Sequence, residues 1–268
     1  MAAAREWEFA GVRGAITARI WARPDPRYIA VLAHGYGEHL GRYEHVAAAL
    51  VEHGAVVCGP DHLGHGRSAG ERVLIESVDD IVADLHTVVR SARGDHPGLP
   101  MVLIGHSMGG LIAARYAQLH RAEPAALVLS GPVLGRWDAL AALLEAEEIP
   151  DVPIDTATLS RDPEVGAAYA ADPLVWHGPF KRVTVRALQA GIDLVAAGGS
   201  LGDLPTLWVH GDDDRLVPLE GTRAGIEALR GPGLVERILP GARHEVFNEI
   251  DRDEVLAEVT SFVDRVLN

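Results

Sequence analysis

Met101-Val-Leu-Ile-Gly-His-Ser-Met-Gly-Gly110 sets a serine between two glycines, in the order G-x-S-x-G, straight after an apolar run. The run reads as a buried strand, and the residues that follow, Leu111-Ile-Ala-Ala-Arg-Tyr-Ala-Gln-Leu119, read as a helix. A serine at a sharp strand-to-helix turn takes a strained backbone, and only small neighbours such as Gly105 and Gly109 leave room for it. The turn lifts the hydroxyl above the sheet. There the N–H of Met108 and the helix N-terminus face any negative charge that develops. The pattern alone is common; the strand before it and the helix after it make Ser107 a candidate nucleophile.

Outward from this turn, continuous apolar runs (Ile29-Ala-Val-Leu-Ala33, Ala55-Val-Val-Cys58, Ala126-Leu-Val-Leu129) alternate with helical spacing over 43–53 and 78–93. Strands buried on both faces and separated by helices predict an α/β fold, a mostly parallel doubly wound sheet. Residues 6–9 and 15–21 alternate as an antiparallel hairpin would. The rhythm lapses after Pro132 and resumes at Thr206-Leu-Trp-Val-His210, with a helix over 220–229, a strand over 235–239 and a closing helix over 252–266. Residues 134–201, with helical patches at 137–147 and 181–197, are therefore expected as a helical cap inserted above the sheet. Residues 1–133 and 202–268 form the expected core.

A serine hydroxyl needs a base, and the base needs a carboxylate to orient it. In such a sheet both come from loops at the carboxyl ends of later strands, in the chain order Ser, Asp, His. His244 is the only histidine beyond residue 210, which makes it the candidate base. The acid lies in Asp212-Asp-Asp214; Asp214 is preferred, and spacing alone leaves Asp212 open. A second oxyanion donor beside Met108 is expected from the loop His34-Gly-Tyr-Gly-Glu-His-Leu-Gly-Arg-Tyr43, with the N–H of Tyr36 best placed. Asp61, His62 and His65 lie close together in sequence, but a glycine-rich loop suits a buried polar network better than a zinc site. No metal or organic cofactor is called for.

The formal charge of −14 argues against a nucleic-acid partner, which would need a basic face. Cys58 is the single cysteine, so no internal disulfide is possible. No apolar run is long enough to span a bilayer, and the N-terminal residues lack a basic start followed by a hydrophobic stretch. A cytoplasmic location, at most peripheral to a membrane, is the expectation. The segment Trp137-Asp-Ala-Leu-Ala-Ala-Leu-Leu144 is apolar on one side, which suits either transient contact with a lipid surface or packing onto the core.

Five stretches together, His34-Gly-x-Gly-Glu-His-x-Gly-Arg-Tyr43, Asp61-His-x-Gly-His-Gly-Arg-Ser68, Gly105-His-Ser-Met-Gly-Gly110, Asp213-Asp-Arg215 and His244-Glu-Val-Phe-Asn-Glu249, resemble the monoacylglycerol lipases, bacterial ones in particular. The resemblance runs in order through almost the whole chain. It implies an α/β-hydrolase fold with a cap and hydrolysis of a small amphipathic lipid, a monoacylglycerol, to glycerol and fatty acid. It favours Asp214, because the family's acid precedes the arginine. It also implies Tyr36 and Met108 as oxyanion donors, and Glu38, Arg42, His106 and Tyr169 at the glycerol end. Tyr36 departs from the smaller or aliphatic residue expected there, so its side chain should narrow the entrance. The competing readings are a lysophospholipase, a general carboxylesterase or a prolyl aminopeptidase on the same triad, and a non-catalytic hydrolase-like receptor.

Overall fold

The computed structural model describes residues 4–268; the first three residues of the expected core segment, and of the N-terminal stretch read for a leader, lie outside that range. The sheet has eight strands: β1 (Arg5–Ala10), β2 (Ala15–Trp21), β3 (Tyr28–Ala33), β4 (Ala55–Pro60), β5 (Met101–His106), β6 (Pro124–Ser130), β7 (Thr206–Gly211) and β8 (Leu234–Leu239). Their spatial order is β1-β2-β4-β3-β5-β6-β7-β8. The β1–β2 and β2–β4 pairs are antiparallel and the rest are parallel, as the sequence predicts.

Successive side chains of a strand point to opposite faces, and here both faces are covered. Ile29, Val31, Ala33 and Leu103 pack on one side with α2 (Val78–Asp95) and α3 (Met108–Leu119). Tyr28, Ala30, Leu32 and Val102 pack on the other with α1 (Glu44–His53) and α8 (Arg252–Leu267). This double burial is why the central strands read as unbroken apolar runs.

Chain direction through the sheet reverses at β3, which has β4 on one side and β5 on the other. The register pairs Ala33 with Gly105, so the loops after β3 and β5 leave the sheet side by side. Such a switch point opens a crevice beyond the strand ends.

Between β6 and β7 the chain forms α4 (Asp138–Glu145), α5 (Pro163–Ala171) and α6 (Arg182–Gly198), with no strand. Helix α7 (Leu219–Leu229) follows β7. The sequence reading lacks α5. Its residues, Pro163-Glu-Val-Gly-Ala-Ala-Tyr-Ala-Ala171, are small nearly all round and show no apolar stripe. What starts the helix is Asp162, whose carboxylate accepts the Glu164 N–H at 2.9 Å, with Pro163 in the first turn. The stretch after α5 is tied to the loop after β3: the Trp176 N–H donates to the Gly37 carbonyl at 2.7 Å, and His39 Nε2 lies 2.8 Å from Asp172 Oδ2. Among the described residues no helix is long and apolar enough to cross a membrane.

Candidate active site

Ser107 ends β5 and precedes α3 with φ 54° and ψ −118°, a left-handed strain that few non-glycine residues adopt. Two glycines make the turn feasible. A Cβ at Gly105 would stand 2.2 Å from the Gly109 carbonyl oxygen, and one at Gly109 would stand 2.0 Å from that of Ala33. The serine hydroxyl is thereby aimed at His244, whose Nε2 lies 2.9 Å from its Oγ. His244 Nδ1 lies 2.7 Å from Asp214 Oδ2. The other oxygen of Asp214 accepts the N–H groups of Leu216 and Val217 at 3.0 and 2.8 Å.

Asp214 alone of the acidic triplet faces the histidine. Asp212 accepts the Gly241 N–H across the loop mouth, and Asp213 pairs with Arg215 in solvent. Burial would push the Asp214 carboxyl up, but His244 and His210 beside it outweigh that and hold it well below the usual carboxylate range. Burial pulls His244 down, and the Asp214 carboxylate with its hydrogen bond more than offsets this, leaving the imidazole above its ordinary value. A base with a hydroxyl on one nitrogen and an ionised carboxylate on the other can take the hydroxyl proton and carry the resulting charge.

The N–H groups of Tyr36 and Met108 have no hydrogen-bond acceptor among the described residues. Met108 opens α3, so its N–H belongs to the free first turn. The loop after β3 comes close to the serine: a Cβ on Gly35 would meet the Ser107 Cβ at 3.2 Å. Two free donors beside a serine hydroxyl can hold an oxyanion.

A cavity opens over Ser107 and His244. Its lining mixes apolar residues (Trp137, Ile154, Leu159, Phe180, Leu216 and Val217) with polar ones (Glu38, His106, Tyr169 and Glu245). These apolar residues come from the stretch between β6 and β7 and from the loop after β7.

A model of the family described as serine aminopeptidase, S33, matches residues 24–251. The chain is 41% identical to the monoacylglycerol lipase of Mycolicibacterium smegmatis, covering 96% of each chain. It is 32% identical to the monoglyceride lipase of Homo sapiens, over 91% of this chain and 82% of that one. Among solved structures it is similar to the crystal structure of the Paleococcus ferrophilus monoacylglycerol lipase, with a TM-score of 0.80 at 26% identity over 94% of this chain and 99% of that one. The chain belongs to the monoacylglycerol lipase family. It is thus an α/β-hydrolase and a carboxylic ester hydrolase.

Of the four residues that the resemblance to the monoacylglycerol lipases puts at the glycerol end, three line the cavity: Glu38, His106 and Tyr169. Arg42 does not. Its guanidinium sits one layer back, bonded to Glu38 on one side and bidentate to Glu245 on the other, and it covers the Tyr169 ring at 4.8 Å. A charge this enclosed is stable when carboxylates pair with it, and three of the Arg42 N–H groups are spent on Glu38 and Glu245. His106 is neutral, pushed down to about 3 by burial, with Nδ1 3.0 Å from the Ser130 hydroxyl.

The Tyr36 side chain lines the cavity and stacks on Phe180, ring centroids 4.2 Å apart at 6°. The hydroxyls of Tyr36 and Tyr169 are both buried without a protein partner.

Glu245 is the residue the sequence reading left without a role. Its signal was its place, next to the candidate base. Its carboxyl is held low: burial opposes ionisation, and Arg42 outweighs it. In the loop Gly59 to Ser68, Asp61 accepts the N–H groups of Leu40 and Arg67, and the His62 N–H donates to His34. That is a polar network bracing the loop that carries Tyr36.

Proposed function

We propose that the protein hydrolyses monoacylglycerols to glycerol and fatty acid through an acyl-enzyme on Ser107. The observation that carries this reading is the mixed lining of the cavity over the Ser107–His244 contact, with Phe180 and Leu216 as apolar groups and Glu38 and Tyr169 as polar ones. The apolar residues suit a single acyl chain and the polar ones a small polyol. The names of the relatives, monoacylglycerol and monoglyceride lipases, support the same substrate.

In this reading His244, oriented by Asp214, takes the proton as Ser107 Oγ attacks the ester carbonyl. The N–H groups of Tyr36 and Met108 stabilise the tetrahedral oxyanion; one such donor is worth about a hundredfold or more in rate. Collapse of the intermediate passes the proton from His244 to the departing glycerol oxygen. Water, deprotonated by the same histidine, then attacks the acyl-serine and releases the fatty acid, restoring Ser107. Glu38 and Arg42 act together at the polar end: Arg42 fixes Glu38, and Glu38 and the Tyr169 hydroxyl face the glycerol.

Residues 134–201 are proposed as a cap domain on a core of 1–133 and 202–268. Contact with a micelle or membrane surface through this cap, by a protein that works in the cytoplasm, is part of the proposal. Support for the contact comes from Val152 and Val183, large apolar side chains that the segment leaves exposed.

The test is fatty-acid release from a series of monoacylglycerols beside the matching diacylglycerol, triacylglycerol and lysophosphatidylcholine, with Ser107→Ala as control. Preference for the monoacylglycerols, lost in the variant, is the expected result. Serine-dependent turnover of the lysolipid alone would sink the glycerol-end assignment and keep the mechanism. An aminopeptidase would release nothing from any of these esters.

A further inference from the structure

Four nitrogens approach the Asp214 carboxylate, and one of them is on a side chain outside the triad. Besides Leu216, Val217 and His244, the Nε2 of His210 stands 3.2 Å from Asp214 Oδ2. His210 sits near the end of β7 and is fully enclosed. Its neighbours decide which nitrogen carries the hydrogen. Trp208 Nε1 lies 3.2 Å from His210 Nδ1, and an indole N–H can only donate. Nδ1 must therefore present a lone pair, which puts the hydrogen on Nε2. That Nε2–H donates to the Val217 carbonyl at 2.9 Å, and Asp214 Oδ2 stands 3.2 Å from the same nitrogen. A second proton on the ring would oppose two N–H groups across the Trp208 contact.

We propose that His210 is a positioning residue of the triad, a fixed N–H donor that braces the turn from Asp214 to Val217 against β7 and presents Asp214 Oδ2 to His244. It touches both ends of that turn, the Asp214 carboxylate and the Val217 carbonyl. Val217 itself lines the cavity, so the same brace sets part of the apolar wall. The inference rests on the Ser107–His244–Asp214 reading.

The brace has an electrostatic side. While the His210 N–H stands 3.2 Å from Oδ2, part of the carboxylate charge is directed away from His244. Without that donor more of the charge faces the imidazole and favours its protonated form. The other groups facing His244 are Ser107 and His106 from the turn after β5, Glu245 beside it, and Glu38 and Arg42 from the loop after β3. None of these changes when His210 is replaced.

The experiment compares wild type, His210→Leu, His210→Gln and Ser107→Ala on one monoacylglycerol, with kcat and KM across the pH range and thermal unfolding as the check on folding. Leucine keeps the bulk and removes the donor; glutamine restores an N–H. The expected result for folded His210→Leu is a kcat lower by roughly 10- to 100-fold, the cost of a misplaced catalytic group, with KM little changed and the acid limb of kcat/KM moved to higher pH. His210→Gln is expected to recover most of kcat and the wild-type limb. Should leucine not fold, His210→Met takes its place. NMR of the imidazole nitrogens in the wild-type protein reads the tautomer without any variant.

Three results would overturn the proposal: a folded donor-less variant with unchanged kcat and limb, a glutamine variant as slow as leucine, or hydrogen on Nδ1 of His210. Inactivity of Ser107→Ala keeps the triad in place, so any of these counts against His210 alone. Full activity of Ser107→Ala would instead remove the triad reading, and this inference with it.

Discussion

Arg42 and Glu245, 203 positions apart in the chain, meet in a bidentate ion pair with both N···O distances at 2.7 Å. Glu38 completes the group on the other side of the guanidinium. All three are almost fully enclosed, and Glu245 adjoins the histidine that faces Ser107. The pair therefore joins the loop after β3 to the loop after β8, the two loops that must stay in register for the site to work.

Removing the arginine should be costly. Arg42→Met leaves two buried carboxylates without their common cation, and losing one partner of a buried ion pair costs about 3–5 kcal/mol. Urea unfolding should show a loss of that order, with kcat falling in whatever protein remains folded. Adding Glu245→Gln should recover part of the stability, because one of the stranded charges is gone. A single variant with wild-type stability would mean that water replaces the guanidinium.

Activity should fall on the acid side as His244 takes up a proton, because a protonated imidazole cannot accept the one from Ser107. Asp214 holds His244 above the usual histidine value of 6.5, so the acid limb of kcat/KM is expected above that pH. Asp214→Asn removes the cause: the limb should move down while kcat drops by up to about 10⁴-fold, as expected when the base loses its orienting carboxylate. A limb that stays in place in Asp214→Asn would assign it to another group.

Stability should have its own acid dependence, set elsewhere. Burial pushes His62 down to about 3 and His65 to about 4, and places His34 well below its usual value. The unfolded chain then binds protons that the folded one refuses. Their contribution is complete above pH 6.5 and is lost as pH falls toward the folded values, at about 1.4 kcal/mol per pH unit for each histidine. Urea midpoints should fall steadily from pH 6.5 to pH 4, and His65→Gln should flatten the slope. A flat profile in the wild type would show that the histidines are already protonated or solvated.

Tyr36 tests the narrowing of the cavity. Its hydroxyl is buried without a protein partner, so Tyr36→Phe should leave stability unchanged or raise it by about 1 kcal/mol. Tyr36→Ala removes the stack on Phe180 and should shift turnover toward bulkier esters. If Tyr36→Phe keeps its stability but loses kcat/KM on monoacylglycerols and not on the matching methyl esters, the hydroxyl binds the glycerol.

The alternation of apolar strands and helices, the turn that exposes Ser107 and the order of the later loops were legible in the sequence, because each is a local pattern. Periodicity follows from backbone geometry, and a strained serine needs small residues at its immediate neighbours. Helix α5 was not legible, since small residues carry no stripe and only its start, the capping Asp162 followed by Pro163, gave a signal. Other features depended on tertiary structure alone. Spacing alone left Asp212 open beside Asp214, and the path of the loop after β7 is what turns Asp214 toward His244. Arg42 reads as a ligand group beside Glu38, and only the arrival of Glu245 from the far end of the chain withdraws it behind the wall. His210 reads as the last apolar-flanked residue of a strand until Trp208 and Val217 fix its hydrogen. A side chain's type is written in the chain, but its role is decided by partners that only packing brings within hydrogen-bond reach.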